Sequence, residues 1–185
     1  MDDRDLLERA RKGDEAALSL LFSQHQRQVF HYAAYMCGPG AADDIVQETF
    51  LVVLRQTGRR DTPTGSVLAY LVGIARHLVI KRHGRTSEWA VDETVLEQEA
   101  SAEPSAFDRL ANAQSTDAIR GAVRSLPPPY REAIVLCELQ EMDYSMAAAL
   151  LNCPVGTVRS RLHRGRALLA TKLAASMGEE VERVR

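Results

Sequence analysis

Apolar residues recur with a helical period along most of the chain, and no segment shows the sustained alternation of a strand. In the N-terminal part, this pattern predicts helices at residues 6–12, 14–37 and 41–56, and a fourth helix after a polar loop at residues 57–65. The apolar faces of these helices predict a compact bundle. The residues expected to face inward are Leu18, Leu21, Phe22, Val29, Ala33 and Met36 in the second helix, Val46, Phe50 and Val53 in the third, and Val67, Leu71, Ile74 and Leu78 in the fourth.

The C-terminal part is also expected to be helical, in a different arrangement. Helices are predicted at residues 106–125, 130–140 and 144–151, with Asp143 as the cap of the third of these. A turn at Asn152-Cys153-Pro154 then leads into a long basic helix at residues 155–176. A short helix, a tight turn and a basic helix are typical of a helix-turn-helix. The predicted fold class is therefore all-α, with two small helical domains.

Charge is distributed unevenly along the chain, although the net charge is only −2. Residues 1–83 carry a net charge of +1, residues 84–118 carry −6, and residues 119–185 carry +3. The acidic stretch has weak periodicity and holds the only tryptophan, Trp89, which indicates a linker. The expected organisation is a domain at 1–84, an acidic flexible linker at 85–105, a second domain at 106–178 and a tail at 179–185.

Composition excludes several classes of protein. With 45% hydrophobic and 26% charged residues, the chain of 185 residues can form a packed core. No apolar run approaches the roughly 20 residues of a membrane span, and the first five residues do not resemble a signal peptide. We therefore expect a cytoplasmic protein without membrane insertion. Cys37, Cys137 and Cys153 lie too far apart for a disulfide framework or a zinc motif.

The last predicted helix carries a basic face suited to duplex DNA. Its apolar residues Val155, Val158, Leu162 and Leu169 share one side of a helical wheel, and the roughly opposite side carries Arg159, Ser160, His163 and Arg164. Side chains of these types bind base edges in the major groove or phosphates. Arg166 and Lys172 lie off the centre of this face and suit phosphates better. The alternative is a solvated basic face that binds nothing.

Two further faces lie in the N-terminal helices. Asp44, Gln47 and Glu48 are spaced to share one exposed face of the third helix, which suits a solvated or partner-docking surface. No HExxH or ExxH motif accompanies them, so neither a metal site nor acid–base chemistry is predicted. In the fourth helix, Tyr70, His77 and Lys81 share a stripe with Gly73, near Arg76, Arg82 and His83. Aromatic and basic side chains on one surface suit single-stranded nucleic acid, although an ordinary amphipathic helix with a charged end is the alternative.

These segments resemble bacterial RNA polymerase sigma factors of the extracytoplasmic-function (ECF) group. The segment DIVQETFL at residues 44–51 and the IAR at residues 74–76 resemble region 2 of that family. The segments LPPPYRE at residues 126–132 and PVGTVRSRL at residues 154–162 resemble region 4. The order of the motifs, with an acidic linker between them and no region 3 domain, resembles the ECF group.

The resemblance implies a promoter-specificity subunit with no enzymatic activity and no cofactor. It implies that core RNA polymerase binds Asp44, Gln47 and Glu48, and that duplex and melted non-template DNA are contacted during promoter opening. The loop before Ser66 would capture a flipped base. An anti-sigma factor is a further implied partner. The implied −10 contacts are Ser66, Tyr70, Arg76, His77 and Lys81, and the implied −35 contacts are Arg159, Ser160, His163 and Arg164.

The chain departs from the family pattern in the fourth helix. Val67 and Tyr70 stand where the family usually has Phe and Trp, His77 stands where it usually has Asn, and Lys81 stands where it often has Asp. These changes affect the −10 sequence that would be read. Met146 replaces the usual Glu, so the capping box of the short helix is missing. Two alternatives remain at this point: a helix-turn-helix regulator that dimerises on DNA without polymerase, and an enzyme with a helical carboxylate site.

Overall fold

The computed structural model describes residues 2–56, 66–84 and 116–183, with side chains described as far as Ala174. Throughout these ranges the secondary structure consists of helices and the turns that join them, which confirms the predicted all-α class. The chain divides into two compact units, Met1–Arg85 and Thr86–Arg185. The predicted linker with Trp89 and the polar loop at residues 57–65 lie outside the described residues. None of the described helices combines the length and apolar character needed to cross a membrane.

The described residues of the first unit form four helices, two of which begin earlier than predicted. The Asp2 side chain caps α1 by accepting the backbone N–H of Arg4 at 3.4 Å, so this helix begins at Asp3. Gly38 alone makes the turn after α2, with φ of +86°, and Pro39 occupies the first position of α3, where no N–H is needed. The four helices are α1 (Asp3–Arg11), α2 (Glu15–Cys37), α3 (Pro39–Arg55) and α4 (Val67–His83).

The core of the first unit forms around α2, which packs against α1, α3 and α4. Most residues predicted to face inward are buried, but Leu18, Phe22 and Ile74 are only half-buried. The Phe22 ring instead packs edge-on against the Phe50 ring, with centroids 4.9 Å apart. Because α4 packs on both α2 and α3, its buried face is wider than predicted. That face consists of Val67, Leu71, Val72, Ala75, Leu78 and Val79.

The second unit contains α5 (Thr116–Arg124), α6 (Pro128–Ile134), a π-helical turn (Val135–Leu139), α7 (Tyr144–Leu151) and α8 (Val155–Arg183). Residues 106–115 of the first helix predicted here lie outside the described residues. Two other predicted bounds were wrong. α6 begins at Pro128 because prolines are favourable in the first helical turn, and its continuation is π-helical. α8 runs seven residues past Ser176, since the glycine that follows, Gly178, does not stop the helix.

Hydrogen bonds fix both ends of the short helix α7. The Asp143 carboxylate accepts the backbone N–H of Met146 at 2.8 Å, as the predicted cap requires. Asn152 adopts a left-handed conformation, with φ of 52°, and the backbone N–H of Cys153 donates to the carbonyl of Ala148 at 3.1 Å. Asparagine tolerates this conformation better than most residues. The turn therefore leads directly from α7 into α8. The two helices pack against each other.

Gly165 allows α8 to approach α6 closely. A methyl group built at Gly165 would lie 3.0 Å from Cγ1 of Ile134 and 3.3 Å from the backbone oxygen of Tyr130. We expect Gly165→Ala to lower the free energy of unfolding of the second unit by about 1 kcal/mol, because a typical overpacking cost exceeds the gain in helix propensity. Urea unfolding followed by circular dichroism measures this change.

Gly121→Ala is the matched control for this prediction. Gly121 also lies inside a helix of the second unit, but an added methyl group there would meet nothing within 4 Å. This variant is expected to be as stable as the parent protein or slightly more stable. Equal effects of the two alanines on stability would contradict the close approach at Gly165.

Candidate functional site

An acidic and polar face lies along one side of α3. Asp44, Gln47 and Glu48 are all exposed, and Ile45 and Val46 on the opposite side are buried. The structure therefore brings the three predicted residues together on one surface, as their spacing requires. Nη1 of Arg82 lies 3.4 Å from Oδ2 of Asp44, in an ion pair whose two side chains are at least half exposed.

Leu51 continues the same face one turn further along α3, and sequence reasoning did not single it out. It is 46% exposed, and among the described residues of this unit only Leu20 is a comparably exposed large apolar side chain. The only available signal was its position, three residues after Glu48 and four after Gln47. The face thus combines carboxylates with an exposed apolar group, as protein-binding surfaces do.

The predicted −10 residues lie in and just before α4. His77 and Lys81 are exposed, and Tyr70 and Arg76 are half-buried. Ser66 caps the helix, because its hydroxyl accepts the backbone N–H of Ala69 at 3.0 Å. The structure therefore adds a local structural role at Ser66 and leaves a basic surface toward the C-terminal half of α4.

Tyr70 contacts two residues that sequence reasoning missed. Its hydroxyl donates a short hydrogen bond to Oε1 of Gln56, the C-cap residue of α3. The guanidinium carbon of Arg11 lies 5.1 Å from the centroid of the Tyr70 ring. One signal was available in the sequence: Arg11 lies four residues after Leu7, on the apolar face of α1, where a charged side chain needs a partner.

The face predicted to read duplex DNA lies on α8. Arg159 and His163 are exposed, and Ser160 and Arg164 are half-buried. Val158, Leu162 and Leu169 are buried on the other side, but Val155, predicted to be buried, is only half-buried because it is the first residue of the helix. The Ser160 hydroxyl donates to the carbonyl of Thr157 at 2.9 Å, so its lone pairs remain the groups with which it can bind a ligand.

Arg166 bonds within the domain, whereas its position suggested a phosphate contact. Its Nε donates to Oε1 of Glu138 at 3.1 Å, and its Nη2 donates to the same oxygen. Burial alone would lower the pKa of Arg166, but the hydrogen bond and charge of Glu138 outweigh it, so the pKa is raised. This partly buried pair ties α8 to the π-helical turn.

Removing the negative partner of this pair is expected to destabilise the second unit. In Glu138→Gln, the guanidinium of Arg166 keeps a neutral acceptor but loses the opposite charge, so we expect a loss of about 1–2 kcal/mol in the free energy of unfolding. Urea unfolding measures the loss. Glu141→Gln is the control because Glu141 is exposed, and an equal loss in both variants would show that the ion pair contributes nothing specific.

The three cysteines of the chain are free and half-buried. Burial, reinforced by the charge of Glu138, raises the pKa of Cys137 to about 11, so this thiol is protonated at neutral pH and a weak nucleophile. Burial also raises the pKa of Cys37. Within the described ranges, no three His, Cys, Asp or Glu side chains come together as metal ligands would.

Two family descriptions match the chain, one on each unit. Residues 21–88 match Sigma-70 region 2, and residues 116–169 match Sigma-70, region 4. Together the matched stretches cover more than half of the chain. An N-terminal bundle of region 2 type and a helix-turn-helix of region 4 type define a transcription initiation factor of the sigma-70 class.

Curated relatives narrow this class. The chain is 34% identical over 168 residues to the probable RNA polymerase sigma-C factor of Mycobacterium bovis, covering 87% of this chain and 86% of the relative. It is 31% identical over 183 residues to the ECF RNA polymerase sigma-E factor of Escherichia coli strain K12, covering 94% and 95% of the two chains. The protein belongs to the ECF group of RNA polymerase sigma factors.

Solved structures share this fold. CnrH, solved in complex with the cytosolic domain of CnrY, has a TM-score of 0.67 and 26% identity, covering 94% of this chain and 97% of that one. The sigma factor RpoE of Bartonella quintana, solved with the anti-sigma factor NepR, has a TM-score of 0.64 and 21% identity, covering 84% and 96%. These similarities agree with the helical architecture described above.

Proposed function

We propose that this sigma factor binds core RNA polymerase through a domain at residues 1–84 and reads the −35 promoter element through a domain at residues 106–178. In this proposal, residues 85–105 link the two domains, and residues 179–185 follow the second domain. The observation that carries the proposal is the presence of both sigma-70 regions in one chain, each on a helical unit with an exposed face of suitable chemistry.

Core polymerase binds the α3 face in this proposal. Asp44, Gln47 and Glu48 supply exposed acceptors for a basic partner surface, and Leu51 supplies an apolar group at the same face. Interfaces commonly combine an apolar anchor with a polar rim that excludes water. The Asp44–Arg82 ion pair would exchange with the partner at small cost, because both side chains are exposed.

The −10 element binds along α4. Arg76, His77 and Lys81 supply donors and positive charge for the phosphates of the melted non-template strand. Tyr70 supplies an aromatic face for base stacking, and the Ser66 hydroxyl lies at the start of the same helix. Because His77 and Lys81 replace residues usual in the family, the −10 sequence preferred by this factor would differ from that of relatives with the usual residues.

The −35 element binds to α8. Arg159, His163 and Arg164 supply donors, and an arginine can bond guanine O6 and N7 together in the major groove. Ser160 would act as an acceptor, for example from a base amino group, because its own proton is engaged with Thr157. Lys172, further along the helix, would contact phosphate.

An anti-sigma factor regulates the protein in this proposal. The similar sigma factor RpoE of Bartonella quintana was solved with the anti-sigma factor NepR, and a partner of this kind would hold the factor inactive by covering the faces of α3, α4 and α8. The factor would act in the cytoplasm, where polymerase and promoters are found. It would have no catalytic residue or cofactor of its own, since the polymerase supplies the chemistry.

Transcription from a promoter library with purified bacterial core polymerase tests the proposal. Initiation should depend on the added protein and should converge on promoters with paired −35 and −10 elements. Specific binding of the protein alone to a palindromic site, without dependent initiation, would contradict it and favour a self-sufficient regulator.

A further inference from the structure

Arg11 is buried next to a residue assigned above to the −10 contact. It is the last residue of α1, and only 5% of its surface is exposed. Burying an arginine removes it from water and is costly unless its guanidinium is compensated. The groups that contact the guanidinium therefore indicate the role of this buried arginine.

Arg11 contacts side chains at the ends of two other helices. Its guanidinium carbon lies 5.1 Å from the centroid of the Tyr70 ring in the first turn of α4, within the range of a cation–π interaction. Its Nη2 donates to Oε1 of Gln56 at 3.5 Å, and the Tyr70 hydroxyl donates to the same oxygen. One cluster of three side chains thus joins the C-terminal ends of α1 and α3 to the N-terminal turn of α4.

This cluster restrains both ends of the Tyr70 side chain. The guanidinium holds the ring, and Gln56 holds the hydroxyl, so the two side-chain torsions of Tyr70 have little freedom left. Stacking of a base on a ring that is already ordered costs less conformational entropy than stacking on a ring that becomes ordered only on binding. The orientation of the Tyr70 ring also affects binding, because a binding group that is held in place by supporting contacts binds better than a mobile one.

We propose that Arg11 is a positioning residue for promoter opening: it holds Tyr70 in the orientation that receives a base of the non-template strand. This inference rests on the proposed function, since it takes Tyr70 as a −10 contact. Arg11 itself need not contact DNA, so replacing Arg11 should change the rate of promoter opening only when Tyr70 is present.

A double-mutant cycle in the assembled holoenzyme tests this inference. Opening is followed by permanganate reactivity of −10 thymines with the parent protein, Arg11→Met, Tyr70→Ala and the combined variant. We expect Arg11→Met to slow opening about fivefold, as loss of a desolvated cation–π contact would. We expect Tyr70→Ala to slow it about tenfold through lost stacking, and the combined variant to open at the rate of Tyr70→Ala. Affinity for core polymerase should not change.

Two variants separate positioning from general packing. Lys12→Met removes a positive charge from the exposed neighbour of Arg11 and should leave opening unchanged. Arg11→Lys keeps the charge over the ring but lacks the guanidinium fork, so it should recover part of the opening rate. It also keeps the test valid if Arg11→Met proves poorly folded by urea unfolding.

The outcomes distinguish the inference from the function on which it rests. If Tyr70→Ala slows opening but Arg11→Met does not, or if their effects on rate multiply in the combined variant, Arg11 does not act through Tyr70 and the inference fails alone. If Tyr70→Ala opens promoters at the parent rate, both the −10 assignment of Tyr70 and the inference fail. If the parent holoenzyme initiates nowhere, the proposed function itself fails.

Discussion

An Asp44→Lys, Glu48→Lys double variant is expected to bind core RNA polymerase about 100-fold more weakly than the parent protein, because like charges placed across an interface cost several kcal/mol. Both carboxylates are exposed on one face of α3, so their reversal should leave the fold intact. Fluorescence anisotropy of the labelled factor, titrated with core polymerase, gives the two dissociation constants. Circular dichroism and urea unfolding verify that the variant folds.

Asp43→Lys is the matched control for the docking face. Asp43 is exposed and belongs to the same helix, but it lies about 100° around the helix from Asp44. Compared with Asp44→Lys alone, it makes the same change of charge at nearly the same distance along α3. If Asp43→Lys weakens binding as much as Asp44→Lys, the effect is long-range charge and not docking. If the double variant assembles normally, polymerase binds elsewhere.

The ion pair between Asp44 and Arg82 shows how close two proposed surfaces lie in the first unit. Asp44 belongs to the proposed polymerase-binding face, and Arg82 lies in the last turn of α4, the helix proposed to bind −10 DNA. The pair itself adds little stability because both side chains are exposed. Its position nevertheless indicates that one rigid bundle of α2, α3 and α4 can hold polymerase and promoter DNA in a fixed relation.

Helical period and capping residues were enough to predict most of the described fold. Asp14 illustrates why: it is the first residue of the helix predicted at residues 14–37, and its carboxylate caps α2 by accepting the backbone N–H of Ala17 at 3.0 Å. Asp143 does the same for α7. The grouping of exposed residues could also be predicted from the sequence, because the geometry of a helix determines which side chains share a face. Asp44, Gln47 and Glu48 needed no tertiary information to be grouped.

Contacts between distant helices could not be predicted in this way. Arg166 appeared available for DNA because its partner, Glu138, lies 28 residues earlier in a π-helical turn that no local pattern announces. Sequence analysis did not single out Arg11, which contacts Gln56, 45 residues away, and Tyr70, still further along the chain. Helical period places Arg11 on the apolar face of α1, but it does not identify the partner of either arginine, because tertiary packing brings the partners together.

Arg164→Ala is expected to reduce discrimination among −35 sequences by about 1–3 kcal/mol if its guanidinium bonds a base edge. Arg164 lies at the centre of the proposed reading face of α8, four residues after Ser160 and next to the exposed His163. Competition binding of the holoenzyme to promoters that vary at each −35 position measures the discrimination. The loss of discrimination should be confined to one or two base pairs, because the side chain of one arginine contacts no more than that.

Lys172→Ala is the contrasting variant, since a phosphate contact carries no sequence information. It should weaken binding to all −35 sequences alike and reduce the slope of log affinity against log salt by about one. Arg164→Ala should instead flatten the preference at particular positions. If Arg164→Ala leaves every −35 preference unchanged and only lowers affinity uniformly, Arg164 contacts the backbone, and sequence reading on α8 belongs to Arg159, Ser160 and His163.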